Sequence, residues 1–450
     1  MRRSKPQIDL KVAFYSVVGG CLQVDNLSLL CLGGCREVGR SAFLLEAGEK
    51  KILLDYGISL NDVPSFPLHI SPSEIDAVLL SHPHLDHSGS LPLLFSSRVK
   101  PPVYTTPLSK AMLEYLMEDM MKISGRYLPY EEYEVREMLD KTVAVDYKDV
   151  FRIGDVEIKP LNAGHVPGSC MFLIKLGRLK ALYTGDINTV DTRLIYSAEI
   201  QEILAESPID LLVVEATYGS RLHDDRRATE KSFVSSVLDV LENNGLVLVP
   251  AFAYGRAQEM LCVLEAYKSG FPLYMDGMAR RISPTLLSFK HYLKDPATYE
   301  SALQNTLFVR GSKERRKLLK GSGIVISPAG MLKGGPALFY ARSIAKRSNS
   351  AIFLVSYQIP GTPGDNLLTL GRIDGEAEKV ACSVKWFDFS SHVGKDELVR
   401  FVSAVAEASG NSTKVVIVHG DEASSASLET NLRDMGFNAL LPRNGDLIKL

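Results

Sequence analysis

The stretch SHPHLDHSG, residues 81–89, places His82, His84, Asp86 and His87 within six positions of the chain. The sequence holds only 9 histidines in 450 residues, so a third of them stand in one loop. Imidazoles and a carboxylate this close either hold a metal or make a polar loop with no special duty. The order H-x-H-x-D-H arises rarely by chance in a histidine-poor chain, which favours the metal. An apolar strand pattern, AVLLS, ends just before the loop, and Ser88 and Gly89 follow it. The ligands are therefore expected at the carboxyl end of a strand, where α/β folds place their chemistry. His82 and His84 are two apart and point to one side of an extended chain. Asp86 and His87 follow at the turn and can aim at a neighbouring point, so one short loop can feed two metal sites.

Further ligands are expected from later strand ends. NAGHVPGS offers His165, ALYTGDIN offers Asp186 and VVIVHGDE offers His419. Each alone reads more readily as a capping or hydrogen-bonded residue. Together with the loop they complete a set of nitrogen and oxygen donors suited to zinc.

Around these residues the chain is of ordinary composition, with 46% hydrophobic and 23% charged residues, as in a soluble globular protein. Its length favours two domains. A net charge of −2 argues against a charge-dominated nucleic-acid binder and leaves room for a local basic groove. Cys21, Cys31, Cys35, Cys170, Cys262 and Cys382 are scattered, with no C-x-x-C pair. That pattern points to a reduced, cytoplasmic protein rather than a disulfide scaffold. No run is long and apolar enough to span a bilayer. The start, MRRSKPQIDLKVAFYSVVGGC, is basic and then briefly apolar, but Asp9 and Lys11 interrupt it. An early strand or tail over 1–26 is expected there in preference to a signal segment.

Two textures divide the remainder. NLSLLCLGG, SAFLLEAG, KKILLDYG and AVLLSH read as strands separated by glycine turns. A helix is expected over about 107–122, followed by more strands up to the near-continuous apolar run IDLLVVEATYG. After Gly219, helical spacing alternates with buried-strand patterns such as LVLVPAFAYG, GIVISPAG and AIFLVSYQ. That alternation is the mark of a parallel α/β layer.

H-x-H-x-D-H, the later GH and TGD resemble the metallo-β-lactamase superfamily. VVEATYG, WFDFSSHVG and IVHGDE resemble the three later motifs of its β-CASP group, which processes nucleic acids. GGCREVGRSAFLLE is close to archaeal homologues of the cleavage and polyadenylation specificity factor endonuclease. About 26 residues precede the resemblance, too few for a KH module, so the match is to the branch without KH domains. The resemblance implies a metallo-β-lactamase αββα sandwich with an inserted parallel α/β domain. The expected limits are 27–217 for the first part of the sandwich, 218–384 for the β-CASP domain and 385–450 for the second part.

The resemblance also implies roles. Two Zn2+ ions are expected, one on His82, His84 and His165, the other on Asp86, His87 and His419, with Asp186 bridging. Asp55 of LLDYG is implied as an orienting partner of the loop rather than a ligand. Asp86, Glu215 and His392 are the implied catalytic residues, His392 being a general acid held by Glu215. The implied reaction is hydrolysis of single-stranded RNA in 3′-end processing or decay, leaving a 3′-hydroxyl and a 5′-phosphate. Homodimerisation and contacts with other RNA-processing proteins come with the resemblance.

RNA contacts are expected at Arg256, which opens a helix after a strand and glycine, and at Lys333 in SPAGMLKGGP. Arg280, Arg281 and the run KERRKLLK are weaker choices, since such a run is more often a solvated helix face. Three other readings stand beside the endonuclease: a 5′-to-3′ exoribonuclease resembling ribonuclease J, a small-molecule metallohydrolase and an inactive RNA-processing scaffold. The filled ligand positions speak against the scaffold.

Overall fold

The structure, a computed structural model, describes residues 26–60, 63–268, 270–359, 361–373 and 378–450. The strand or tail expected over 1–26 lies, but for Asn26, outside the described residues. Two seven-stranded sheets form the first unit. One runs Leu447–Lys449, Leu27–Gly33, Ala42–Ala47, Lys50–Leu54, Ala77–Leu79, Val103–Thr105, Thr142–Ala144. The other runs Asn438–Leu440, Lys414–Val418, Leu211–Glu215, Leu179–Tyr183, Cys170–Leu176, Val156–Asn162, Phe151–Ile153.

Strand periodicity explains how both sheets are buried on both faces. In Leu27–Gly33, Leu27, Leu29 and Cys31 enter the core between the sheets, where Phe172, Ile174 and Val213 meet them. Leu32 of the same strand faces outward, into a cluster with Leu113, Met117 and Met138 of the helices Pro107–Ser124 and Glu132–Lys141. The second sheet repeats the pattern: Leu212 and Val214 face outward onto Phe401, Val402 and Leu428 of the helices Lys395–Ala408 and Glu422–Asp434. The result is the expected αββα sandwich.

The third sheet is parallel throughout, in the order Thr306–Phe308, Leu273–Met275, Gly323–Ser327, Leu246–Pro250, Ala351–Leu354, Ser383–Trp386. Its central strand Leu246–Pro250 is buried along its whole length, as a parallel strand covered on both faces must be. Helix Pro107–Ser124 joins the two units, because Leu108, Met112 and Leu116 belong to the same core cluster as Phe233, Val249 and Phe353. The boundary expected between residues 384 and 385 falls inside a strand: Ser383–Trp386 pairs with Ala351–Leu354, so the chain returns to the sandwich only after Trp386. Among the described residues, no helix is long and apolar enough to cross a membrane, and the cysteines Cys31, Cys35, Cys170, Cys262 and Cys382 are free and buried.

Candidate metal centre and active site

The ligand loop is fixed by backbone before any side chain acts. Ser41 N donates to Asp86 O, Tyr56 N to His87 O and Ile58 N to Leu85 O, all at 2.8–2.9 Å. Gly57 makes this approach possible, since a Cβ there would lie 1.7 Å from Asp86 O. Gly185 does the same for the next ligand: its φ is +51° and a Cβ would lie 2.6 Å from Ser81 Cβ. Asp186 is thereby brought against the loop, at the end of the strand Leu179–Tyr183.

Seven expected ligands converge. Donor atoms of His82, His84 and His165, and of Asp86, His87 and His419, form two groups, each within 4.8 Å. Asp186 stands between them. Its Oδ2 lies 3.5 Å from His82 Nε2 and 3.6 Å from His165 Nε2. Its Oδ1 lies 3.2 Å from His87 Nε2 and 3.6 Å from His419 Nε2. One carboxylate oxygen thus faces each group.

The buried polar atoms test whether metal ions fit. His82 Nε2, His87 Nε2, His419 Nε2 and Asp186 Oδ1 are buried without a hydrogen-bond partner, an expensive condition unless something binds them. His84 Nδ1 and His165 Nε2 face each other at 3.3 Å, as two lone pairs directed at a shared cation would. Burial, before all else, pushes His82 and His165 well below the ordinary histidine pKa, and metal ligation requires neutral imidazole. The donor set of imidazoles and carboxylates fits divalent ions of the zinc type.

The opposite ring nitrogens are held. Asp55, fully buried, accepts from Ser81 N at 2.7 Å, Ser81 Oγ at 2.7 Å and Tyr183 OH at 2.5 Å, and its Oδ2 lies 2.7 Å from His87 Nδ1. Because Ser81 Oγ donates to Asp55, it can accept from His82 Nδ1, 3.0 Å away. Ser41 Oγ lies 2.6 Å from His419 Nδ1, and His165 Nδ1 donates to Ser391 O at 3.0 Å. Such partners fix tautomer and ring orientation. Asp55 and His419 both have positive φ, +56° and +47°, a strained setting for residues with a Cβ that packing must impose.

Beside the ligand groups, His392 Nδ1 lies 3.0 Å from both oxygens of Glu215. Glu215 is buried, and its Oε1 also accepts from Ile187 N at 2.8 Å, which fixes the carboxylate. Burial lowers the His392 pKa, but the Glu215 and Asp186 carboxylates outweigh it and raise it to about 9. The two carboxylates thus favour the imidazolium form.

The expected RNA contacts fare differently. Lys333 is exposed, in the loop after the strand Gly323–Ser327. Arg256 corrects the sequence reading: it is 7% exposed, with Nη1 on Glu259 Oε2 at 2.6 Å and Nη2 on Ser391 Oγ at 2.9 Å. A buried guanidinium engaged in this way has no fork to offer a phosphate. Arg281 pairs with Glu118 at 2.7 Å and Arg315 with Asp276 at 2.6 Å, so two of the weaker choices serve as internal ties. The sequence reading missed Ser41, Ser81 and Tyr183. It also missed Tyr254, whose ring lies 6.0 Å from that of His84, and the pair His223–Asp388, 2.6 Å apart. Only Ser81, beside His82, carried a local signal.

An αββα sandwich with two adjoining histidine–carboxylate donor groups, roofed by a parallel α/β unit, defines a metal-dependent hydrolase architecture. Comparison with known proteins agrees: residues 35–251 match the metallo-beta-lactamase superfamily, 257–367 the Beta-Casp domain and 378–442 the Zn-dependent metallo-hydrolase RNA specificity domain. The chain is 38% identical to RNase aCSPSF2 of Saccharolobus solfataricus, over 96% of this chain and 87% of that protein. It is 36% identical to the probable RNase MJ4 of Methanocaldococcus jannaschii, over 94% and 100%. It is 32% identical to transcription termination factor FttA of Pyrococcus abyssi, over 93% and 70%. A crystal structure from Enterococcus faecalis V583 shares the fold, with a TM-score of 0.61 at 16% identity, over 94% of this chain and 100% of that one. The chain belongs to the metallo-β-lactamase superfamily, in its β-CASP branch.

Proposed function

We propose that this chain is a zinc-dependent ribonuclease that cuts single-stranded RNA internally, in 3′-end processing or decay, leaving a 3′-hydroxyl and a 5′-phosphate. The observation that carries the proposal is the His392–Glu215 pair, 3.0 Å between Nδ1 and both carboxylate oxygens, set beside two donor groups that share Asp186. The RNase names of the two most identical relatives reported above and the match to an RNA specificity domain supply the substrate class.

In this reading His82, His84 and His165 would hold one ion and Asp86, His87 and His419 the other, with Asp186 between the two groups. Bound there, a pair of zinc ions supplies Lewis acidity toward the phosphoryl group and the attacking water. The remaining task is protonation of the leaving 3′ oxygen. His392 carries a proton at neutral pH, and Glu215 on Nδ1 leaves Nε2 to donate it. Glu215 also stabilises the imidazolium until the proton departs. Asp55, through His87 and Ser81, keeps the ligand loop from relaxing when charge develops.

The test is cleavage of a 5′-labelled single-stranded RNA by wild type and His392→Ala, with metal content measured on both. Discrete internal fragments from the wild type, lost in the variant while about two zinc ions per chain remain, are the expected result. Release of labelled mononucleotide alone would make the enzyme a 5′-to-3′ exoribonuclease. No cleavage by fully metallated wild type would refute the proposal.

A further inference from the structure

The loop that carries His392 is gripped by a buried charge cluster from the inserted unit, and the mechanism above does not use that cluster. Glu259, on the helix Arg256–Ala266, is 2% exposed. Its Oε2 accepts from Arg256 Nη1 at 2.6 Å, and its Oε1 pairs with Arg226 of the helix Arg226–Glu242. Each guanidinium then spends its second arm on the loop: Arg256 Nη2 donates to Ser391 Oγ at 2.9 Å and Arg226 Nη1 to Ser390 O at 3.0 Å. Ser391 in turn presents its carbonyl to His165 Nδ1.

One carboxylate therefore holds two guanidinium groups, and the two hold the residues on the N-terminal side of His392. The arrangement is costly, because charges buried at this depth lose hydration that packed apolar residues would not need. An apolar contact between the units would serve adhesion alone. What the ion cluster adds is direction: the fork of each arginine fixes a donor angle that a hydrophobic contact leaves free. A second grip acts on the same loop from the other side. His223 Nδ1 meets Asp388 Oδ2 at 2.6 Å, and its Nε2 donates to His392 O at 3.1 Å. The backbone on both sides of the His392 side chain is thus set by residues outside the metal-ligand loop.

We propose that Glu259 is a positioning residue for proton donation: through Arg256 and Arg226 it fixes the Ser390–Ser391 backbone so that His392 meets the leaving oxygen. This rests on the reading of His392 as the proton donor. The inserted unit then does more than cover the cleft, since its packing decides whether the acid is aligned.

The experiment compares wild type, Glu259→Gln, His392→Ala and the double variant in the zinc-loaded enzyme. Each is assayed on an RNA with one ordinary linkage and on the same RNA with a bridging 3′-sulfur there. A thiolate leaves without a proton, so the sulfur substrate bypasses the acid. An amide at position 259 offers one acceptor in place of two and sets an N–H2 against a guanidinium, so one arm is released. Glu259→Gln should lower kcat on ordinary RNA by about 10- to 100-fold, less than the roughly 10²- to 10⁴-fold of losing the general acid itself. On the sulfur substrate its kcat, and on both substrates its KM, should stay within about threefold of wild type. In the His392→Ala background the substitution should cost nothing further on ordinary RNA. Equal losses on both substrates, or full additivity in the double variant, would overturn the proposal. If His392→Ala itself loses equally on both substrates, the acid assignment fails and the inference falls with it, which separates the two failures. Should Glu259→Gln not fold, Ser391→Ala removes only the hydroxyl that Arg256 grips and is held to the same substrate split.

Discussion

The loop with His82, His84, Asp86 and His87 and the loop with His392 meet at one cleft but are held by different means. The first is locked by backbone hydrogen bonds from Ser41, Tyr56 and Ile58 and by the Asp55 carboxylate beneath it. All of these lie in the sandwich that carries the ligands. The second emerges from the third sheet and is tied on the N-terminal side of His392 by side chains of the inserted unit, with Val393 N on Ile187 O beyond it. A loop pinned through its own backbone neighbours keeps its geometry whatever the roof does. A loop held by long side chains takes its geometry from the unit that owns them. The donors of the first loop are therefore expected to hold their places when the His392 side chain is removed, and His165, whose Nδ1 donates to Ser391 O, is the link between the two.

The strongest test breaks the element both donor groups share. Asp186→Asn replaces one of two facing oxygens with an N–H2 donor, directed at an imidazole lone pair. Cleavage should fall to background, and elemental analysis should find at least about one ion per chain lost. A variant that keeps full metal content and substantial activity would remove Asp186 from between the groups. Next in size is His392→Ala, with kcat expected to drop by about 10²- to 10⁴-fold and metal content unchanged. Metal loss in that variant would show that the two loops are not independent.

Asp55→Asn probes the ligand loop's support without touching a ligand. Four hydrogen-bonding groups meet this carboxylate, and an amide cannot accept from all of them. Metal affinity should weaken by about 10- to 100-fold, as for other orienting partners, and excess zinc should restore activity. The unmet donors should also cost about 1–3 kcal/mol of folding stability, read by denaturant unfolding of the metal-free proteins. Unchanged affinity would make Asp55 a packing residue alone.

How much of this was legible in the sequence follows from how local each contact is. Four of the seven candidate ligands sit within six residues, and the other three stand beside a glycine at strand ends, as GH, GD and HG. Their chemistry is written in short motifs. Ser41, Tyr183 and the pair His223–Asp388 act across long separations, and nothing near them in the chain marks a partner. Arg256 misled because the helix-terminus rule concerns backbone N–H groups, while Glu259 and the distant Ser391 decide where the side chain goes. The strand that spans the expected boundary was hidden for a similar reason. Ser383–Trp386 has no buried residue along its length, so it lacks the apolar run that betrays the other strands of its sheet.

The smallest expected effect separates the two basic residues that the sequence placed at the RNA. Arg256 is buried in the clamp, whereas Lys333 is exposed beyond the strand Gly323–Ser327. If Lys333 contacts a phosphate, Lys333→Ala should leave kcat on saturating RNA unchanged and raise KM. The log–log salt dependence of binding should become shallower by about 0.7, the value for one phosphate contact on a single strand. Arg256→Ala should act in the opposite sense, lowering kcat and leaving the salt slope as it was, because its charge never reaches solvent. Identical salt slopes for wild type and Lys333→Ala would take Lys333 off the RNA path. A shallower slope for Arg256→Ala would mean that the clamp opens when RNA binds, and that the two loops are coupled through substrate after all.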